Sequence, residues 1–324
     1  MTPRFILAVT DFSSHGDNAL LRAALLSAEH GAELKLAHIH WLGDNSPMDA
    51  ATRLAHHALQ LSQVHGISVG VSSRLFHSVE DFDAEVAAAD LVVWGTAPVK
   101  SLRTFFLGQP VEELIRSASR PVLVVRRVPR HPYRSMLVAV DLTETSQRLV
   151  DLSLSFSKTA SLELFHAVST ANEGKLRYAE VSSSAIQAYR DQGRRHAQDR
   201  ILKLTDSFDT RRNRVHSSIA HGNAARQTLV QHERSGSELI VVGKHPGSTW
   251  SDLFFGSVAG RLMNYLDADD GRVDLLVVPH GWQPATRTSA AKRLATERLV
   301  SKRVRAGAPP APSRPNPAAI PAGV

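Results

Sequence analysis

The chain repeats itself, and the repeat limits the fold more than any other feature. Phe5-Ile-Leu-Ala-Val-Thr-Asp11 is an apolar run that ends in an acid, and Met136-Leu-Val-Ala-Val-Asp141 repeats it. Each half then carries a second apolar run ending in histidine, Leu34–His38 and Leu162–His166. A third pair ends in glycine, Asp90–Gly95 and Glu238–Gly243, and a fourth closes each half, Pro121–Val125 and Val273–Val278. These Val/Leu/Ile runs are continuous rather than alternating, which is the pattern of strands buried on both faces of a parallel sheet.

Helical periodicity fills the intervals. It covers residues 18–30, 48–64, 81–88 and 111–119 in the first half. In the second half it covers 146–160, a long stretch from about 173 to 205, then 224–233 and 258–266. Strand alternating with helix predicts parallel βαβ units with helices on both faces. The expected architecture is α/β, two consecutive doubly wound parallel sheets, with domains at 1–128 and 133–281 joined by a short linker within Arg126–Tyr133. The offset between halves grows from 130 at Asp11/Asp141 to 148 at Gly95/Gly243. The second half has therefore gained 18 residues, and the long helical stretch after His166 is where they fit.

Beyond Gly281 the chain turns to Ala, Arg, Lys and Pro. Eight basic residues there face Glu297 alone, so residues 282–324 hold the whole net charge of +7. Such a segment cannot bury enough to offset its ordering entropy, and a disordered tail is expected. The folded body sums to zero charge, which removes the case for a basic nucleic-acid groove. Only a weak, salt-dependent contact through the tail stays open. There is no cysteine, which excludes disulfides, thiol catalysis and Cys-bound metals. No apolar stretch reaches membrane-span length, and the N-terminal run is too short for a signal core. A cytoplasmic location without membrane association is expected. The sixteen histidines show no His-Glu-x-x-His or similar ligand spacing, so no metal site is expected.

In an open parallel sheet, ligands sit beyond the carboxyl ends of the strands where strand order reverses. The loop expected there in the second half reads Gly243-Lys-His-Pro-Gly-Ser-Thr-Trp-Ser-Asp-Leu-Phe-Phe-Gly-Ser257. Glycine permits tight turns, and a Gly-Ser pair at a helix start offers N–H groups and a hydroxyl to phosphate oxygens. The loop resembles the nucleotide motif of universal stress proteins: glycine, two residues, glycine, nine residues, glycine, then Ser or Thr. It departs at Pro246, which stands at the middle glycine with Gly247 displaced by one. Proline removes an N–H donor there. Gly247 supplies the contact through a shifted loop, or the site is lost. In the first half Pro98 replaces the middle glycine and Gln109-Pro110 replace the helix start after Gly108, a more eroded version.

The resemblance covers residues 4–280 and implies a tandem, five-stranded, adenine-nucleotide α-hydrolase-like fold. It also implies an intramolecular pseudo-dimer, with further dimerisation open. For the second half it implies ATP binding through Asp141, Gly243, Gly247, Gly256 and Ser257, with no catalytic residue. The bland alternatives are that Asp11 and Asp141 cap turns, that Gly256-Ser257 is only a helix cap, and that Lys244 and His245 are exposed loop residues. His38 and His166 are strand-end residues, and the Phe105-Phe106 and Phe254-Phe255 pairs are packing residues. Ser-Gly-Gly-x-Asp-Ser, His-Ile-Gly-His and Gly-Lys-Ser/Thr loops are missing, which speaks against adenylate-forming catalysis and P-loop chemistry. Two functions compete: nucleotide sensing by the second domain, and a stress-response scaffold that acts through protein contacts.

Overall fold

The computed structural model describes residues 2–39, 49–72, 76, 82–95, 114–115, 118–206, 214–244, 262 and 273–282. In the first half the elements run β1 (Phe5–Thr10), α1 (Ser14–His30), β2 (Glu33–His38), α2 (Ala50–His65), β3 (Val69–Val71), α3 (Asp83–Ala88), β4 (Leu91–Gly95) and β5 (Val122–Val125). The second half runs β6 (Ser135–Ala139), α4 (Ser146–Phe156), β7 (Ser161–Val168), α5 (Ala171–Tyr178), α6 (Ser183–Asp206), β8 (Val215–His221), α7 (Ala224–Ser235), β9 (Leu239–Lys244) and β10 (Asp274–Pro279). No helix among the described residues is long and apolar enough to cross a membrane.

The apolar runs become strands because both their faces are covered: every residue of β4 and β5 is buried, and all but the first of β1. Helix α1 begins where the Ser13 hydroxyl accepts from the Gly16 N–H. It stops at Gly31, whose φ of 66° lets its N–H reach back to Ser27. Of the helix expected at 111–119, Leu114, Ile115, Ala118 and Ser119 are described, with Leu114 and Ile115 helical; of that expected at 258–266 only Leu262 is described, and segment 283–324 lies outside the described residues.

Strand order is β3-β2-β1-β4-β5-β10-β9-β6-β7-β8. Every neighbouring pair is parallel except β5 and β10, which run antiparallel with Leu123 opposite Leu276. Each half is thus a five-stranded parallel sheet, as expected, and the two sheets join edge to edge into one of ten strands. The joint removes two exposed edges, the usual liability of an open sheet. Apolar side chains from both halves line each face of the combined sheet.

A buried polar knot reinforces the joint. Asp274, at the start of β10, is fully buried and accepts from the backbone N–H groups of Arg126 (2.8 Å) and Arg127 (2.9 Å) and from the Tyr133 hydroxyl (2.6 Å). The Arg22 guanidinium of α1 lies 3.5 Å from Asp274, over the Tyr133 ring, and donates to the His131 carbonyl. Burial, and secondly the Asp274 charge, push the Tyr133 hydroxyl well above its ordinary range, so it stays a donor. The linker is therefore strapped to helix α1 and strand β10 at once. At the helix ends, Glu29 accepts from the Ser157 hydroxyl and the Lys158 N–H, and His30 Nε2 donates to the Phe156 carbonyl.

The long helical stretch of the second half is two helices. The chain breaks at Glu180, whose φ is 54°, and Arg190 of α6 clamps the buried Glu173 of α5 in a paired contact. The extra 18 residues lie between β7 and β8. Paired positions Leu34 and Val69 are 35 residues apart in the first half, whereas Leu162 and Val215 are 53 apart in the second.

Candidate functional site

Strand order reverses between β1 and β4 in one half and between β6 and β9 in the other. Asp11 and Asp141 sit just past β1 and β6. Asp141 Oδ1 accepts from the Thr143 N–H (3.0 Å), the Thr143 hydroxyl (2.7 Å) and the Ser146 hydroxyl (2.7 Å). Asp11 Oδ1 accepts from the Ser13 N–H (2.9 Å) and hydroxyl (2.6 Å). The intervening Phe12 and Leu142 both take the left-handed conformation, φ 60° and 61°. Both aspartates therefore shape the turn into a helix, the capping role foreseen as the alternative, and Asp141 additionally borders a cavity.

That cavity has a volume of about 290 Å³ and opens at the β6/β9 switch point. It stands near the lower end of the range for small-molecule sites, about 300–1,000 Å³. Its walls come from the exits of all the neighbouring strands and from α4: Asp141, Thr145, Ser146 and Arg148; His166 of β7; Gly243 and Lys244 of β9; His280 and Trp282 after β10. Helix α7 contributes Ala224 and Thr228. Two permanent cations, Arg148 and Lys244, face one carboxylate, which favours an anionic guest. Arg148 is exposed, while Lys244 is half-buried and donates to the Ile115 carbonyl of the first half at 2.9 Å. Lys244 is thus the last residue of a strand rather than the exposed loop residue expected, because its ammonium has a carbonyl across the joint to reach.

His166 Nδ1 lies 2.8 Å from the Val140 carbonyl. A carbonyl only accepts, so Nδ1 carries the proton. Burial holds the His166 pKa below its ordinary value, against the smaller opposing pulls of that hydrogen bond and of Asp141. The ring is therefore neutral near pH 7 and its Nε2 is an acceptor.

The equivalent crevice of the first half has a different shape. A Cβ on Gly95 would lie 1.9 Å from the His15 carbonyl oxygen and 3.0 Å from the Gly16 nitrogen. The amino end of α1 is thus seated on the end of β4, and only glycine admits it. Among the described residues, a Cβ on Gly243 would meet nothing within 4 Å. The two strand-end glycines look alike in sequence and serve opposite geometries.

Of the sequence-derived site residues, Asp141 and Gly243 border one cavity. Gly247, Gly256 and Ser257 lie outside the described residues, as do Pro246 and the corresponding Pro98, Gly108 and Gln109-Pro110. Sequence reasoning did not single out Thr145, Ser146, Arg148 or Trp282 at all, and read His166 only as a strand end. The repeated histidine at the same strand end of both halves was the one signal available. Among the described residues no three His, Asp or Glu side chains gather as metal ligands would.

No curated protein matches the sequence. Among solved structures, a universal stress protein from Archaeoglobus fulgidus superposes with a TM-score of 0.62 at 14% identity, over 86% of this chain and 97% of that one. A Pseudomonas aeruginosa PAO1 protein of unknown function gives 0.59 at 20% identity, over 93% and 98%. A putative universal stress protein from P. aeruginosa UCBPP-PA14 gives 0.59 at 20% identity, over 92% and 98%. At these identities the likeness is one of fold. The Universal stress protein family model matches twice, over residues 3–126 and again over 132–280. With two such matches covering most of its length, the chain belongs to the universal stress protein family in a tandem form.

Proposed function

We propose that this tandem universal stress protein binds an adenine nucleotide, ATP, in its second domain and none in its first. Asp141 would lie near the adenosine, with Gly243, Gly247, Gly256 and Ser257 around the phosphates. The observation that carries this reading is the contrast between the two glycines: no described atom lies within 4 Å of a Cβ on Gly243, while the α1 backbone lies against Gly95. Arg148 and Lys244 on the cavity wall support a polyanionic guest. We take the working units as residues 1–128 and 133–281, the former a structural half, with the tail beginning beyond the cavity-lining Trp282.

The role is sensing rather than turnover, in the cytoplasm and away from membranes. Asp141 Oδ1 already accepts three hydrogen bonds, which suits a positioning group better than a general base. The test is to denature the purified protein, chromatograph the released ligand, and titrate the stripped protein with ATP by calorimetry. About one adenine nucleotide per chain is expected, and Gly256→Asp is expected to abolish binding. Unchanged affinity in that variant would sink the site assignment.

A second reading, a scaffold acting through protein contacts, draws on the inserted α5–α6 pair. Tyr178, Tyr189 and Leu202 there are 93%, 42% and 58% exposed. Neither co-purified nucleotide nor heat on ATP titration would favour it over the first.

A further inference from the structure

Resting on the nucleotide reading above, we propose that His166 Nε2 is the hydrogen-bond acceptor that selects the base. It favours a heterocycle presenting an N–H donor, as the adenine amine does, over one presenting a carbonyl in its place.

Three observations converge. First, the ring is fixed: its Nδ1–H is committed to the Val140 carbonyl at 2.8 Å, in the same strand-to-strand contact that His38 makes with the Thr10 carbonyl at 2.9 Å in the other half. The anchor is thus a feature of the fold and not of a ligand. Second, the two rings differ in exposure. His38 is 3% exposed and stacked under Phe12 at a 4.4 Å centroid separation, whereas His166 is half-buried and lines the open crevice beside Asp141 and Trp282. Third, Nε2 of His166 has no hydrogen-bond partner among the described residues. A neutral imidazole fixed through Nδ1 turns a lone pair, and no proton, toward whatever enters. A site built to hydrogen-bond one group discriminates against the analogue that reverses it, because two acceptors then face each other.

The remaining ionisable groups around the cavity are Asp141, Arg148, Lys244 and His280. Asp141 lies on the adenosine side in that reading, and Arg148, Lys244 and His280 act on the phosphates and the overall charge of the guest; ATP and inosine triphosphate share the same ribose and phosphates. The ratio of the two affinities therefore isolates the base. Protonation of His166 turns Nε2 from acceptor to donor and should reverse the preference.

The experiment is calorimetric titration of the full-length protein with ATP and with inosine triphosphate, which carries a carbonyl where ATP carries the amine. Near pH 8 the wild type should bind ATP about ten-fold more tightly, the worth of one well-placed hydrogen bond. His166→Asn keeps a donor for Val140 and deletes the distal acceptor, so the ratio should fall toward one. His166→Gln restores an acceptor and should recover part of it. In the wild type the ratio should also fall as pH drops toward about 5, below the ordinary imidazole range; this arm needs no substitution should the variants fail to fold. If both nucleotides bind and the ratio is indifferent to His166→Asn and to pH, His166 does not read the base and the nucleotide site survives. If neither binds the wild type, the nucleotide reading falls and takes this inference with it.

Discussion

Adding one methyl group at each strand-end glycine tests the asymmetry of the halves. In Gly95→Ala the new carbon would stand 1.9 Å from the His15 carbonyl oxygen. Unstrained carbon–oxygen contacts begin near about 3.3 Å, so the start of α1 must retreat by roughly 1.4 Å. Nothing flexible can yield, since the obstacle is backbone. The retreat loosens the Ser13 cap on the Gly16 N–H, now 3.1 Å, worth about 1 kcal/mol. It also disturbs packing in the β1–β4 core, at about 1–3 kcal/mol. The expected loss is therefore about 2–4 kcal/mol, a drop in Tm of roughly 5–10 °C for a body of this size. Gly243→Ala adds its methyl where no described atom lies within 4 Å, and stability should stay within about 0.5 kcal/mol. That methyl nonetheless enters the cavity wall, so ATP affinity should weaken. Urea unfolding and calorimetry on both variants supply the readouts. A Gly95→Ala protein as stable as wild type, or a Gly243→Ala protein that is the worse folded of the two, would refute the assignment of closed and open halves.

Arg22→Met leaves the fully buried Asp274 without its guanidinium, and a loss of about 3–5 kcal/mol in urea unfolding is expected; a change below about 1 kcal/mol would mean that the knot does not hold the joint. Burial lowers the pKa values of His30 and His166 on folding, so the unfolded chain binds more protons in the window just below about pH 6.5. Stability should therefore be fully present above that value and decline as pH falls through the folded pKa values, and a Tm that rises on acidification would contradict this. Glu173→Gln removes the charge that Arg190 clamps, so trypsin should cut at Lys175 severalfold faster with the global Tm unchanged; equal cleavage rates would show that α5 is held by other means.

The central strands were legible because burial on both faces leaves only apolar residues to write them. β1, β2, β4, β5 and their four counterparts all fall within a residue or two of the runs that announce them. The two outermost strands left no such mark. β3 is Val-Gly-Val and β8 is Val-His-Ser-Ser-Ile-Ala-His, with no residue of either fully buried. An edge strand with one covered face and one free edge needs no continuous apolar run, and the resemblance alone implied a fifth strand in each half without assigning its residues. The insertion was located by counting, but its break into α5 and α6 was not foreseen, since Ala179–Ser182 carries neither proline nor glycine to mark a stop.

The site was legible where a backbone feature fixes the residue type, as at Asp141 and Gly243, and illegible where geometry assigns the role. Gly95 and Gly243 occupy the same place in their repeats, yet one is filled by a helix and the other faces a cavity. The difference traces to the first turn of the following helix, outside the glycine motif. Gly16 lies so close to the end of β1 that a Cβ there would fall 2.5 Å from the Thr10 hydroxyl and 2.7 Å from Asp11 Oδ1. At the equivalent position the second half has Ser146, whose side chain occupies that space and hydrogen-bonds Asp141. A bare glycine lets α1 settle onto the strand ends, and a serine holds α4 away from them. The choice between a closed and an open crevice thus rests on a residue that no nucleotide motif inspects, and it becomes visible only when the helix is seen against the strand it follows.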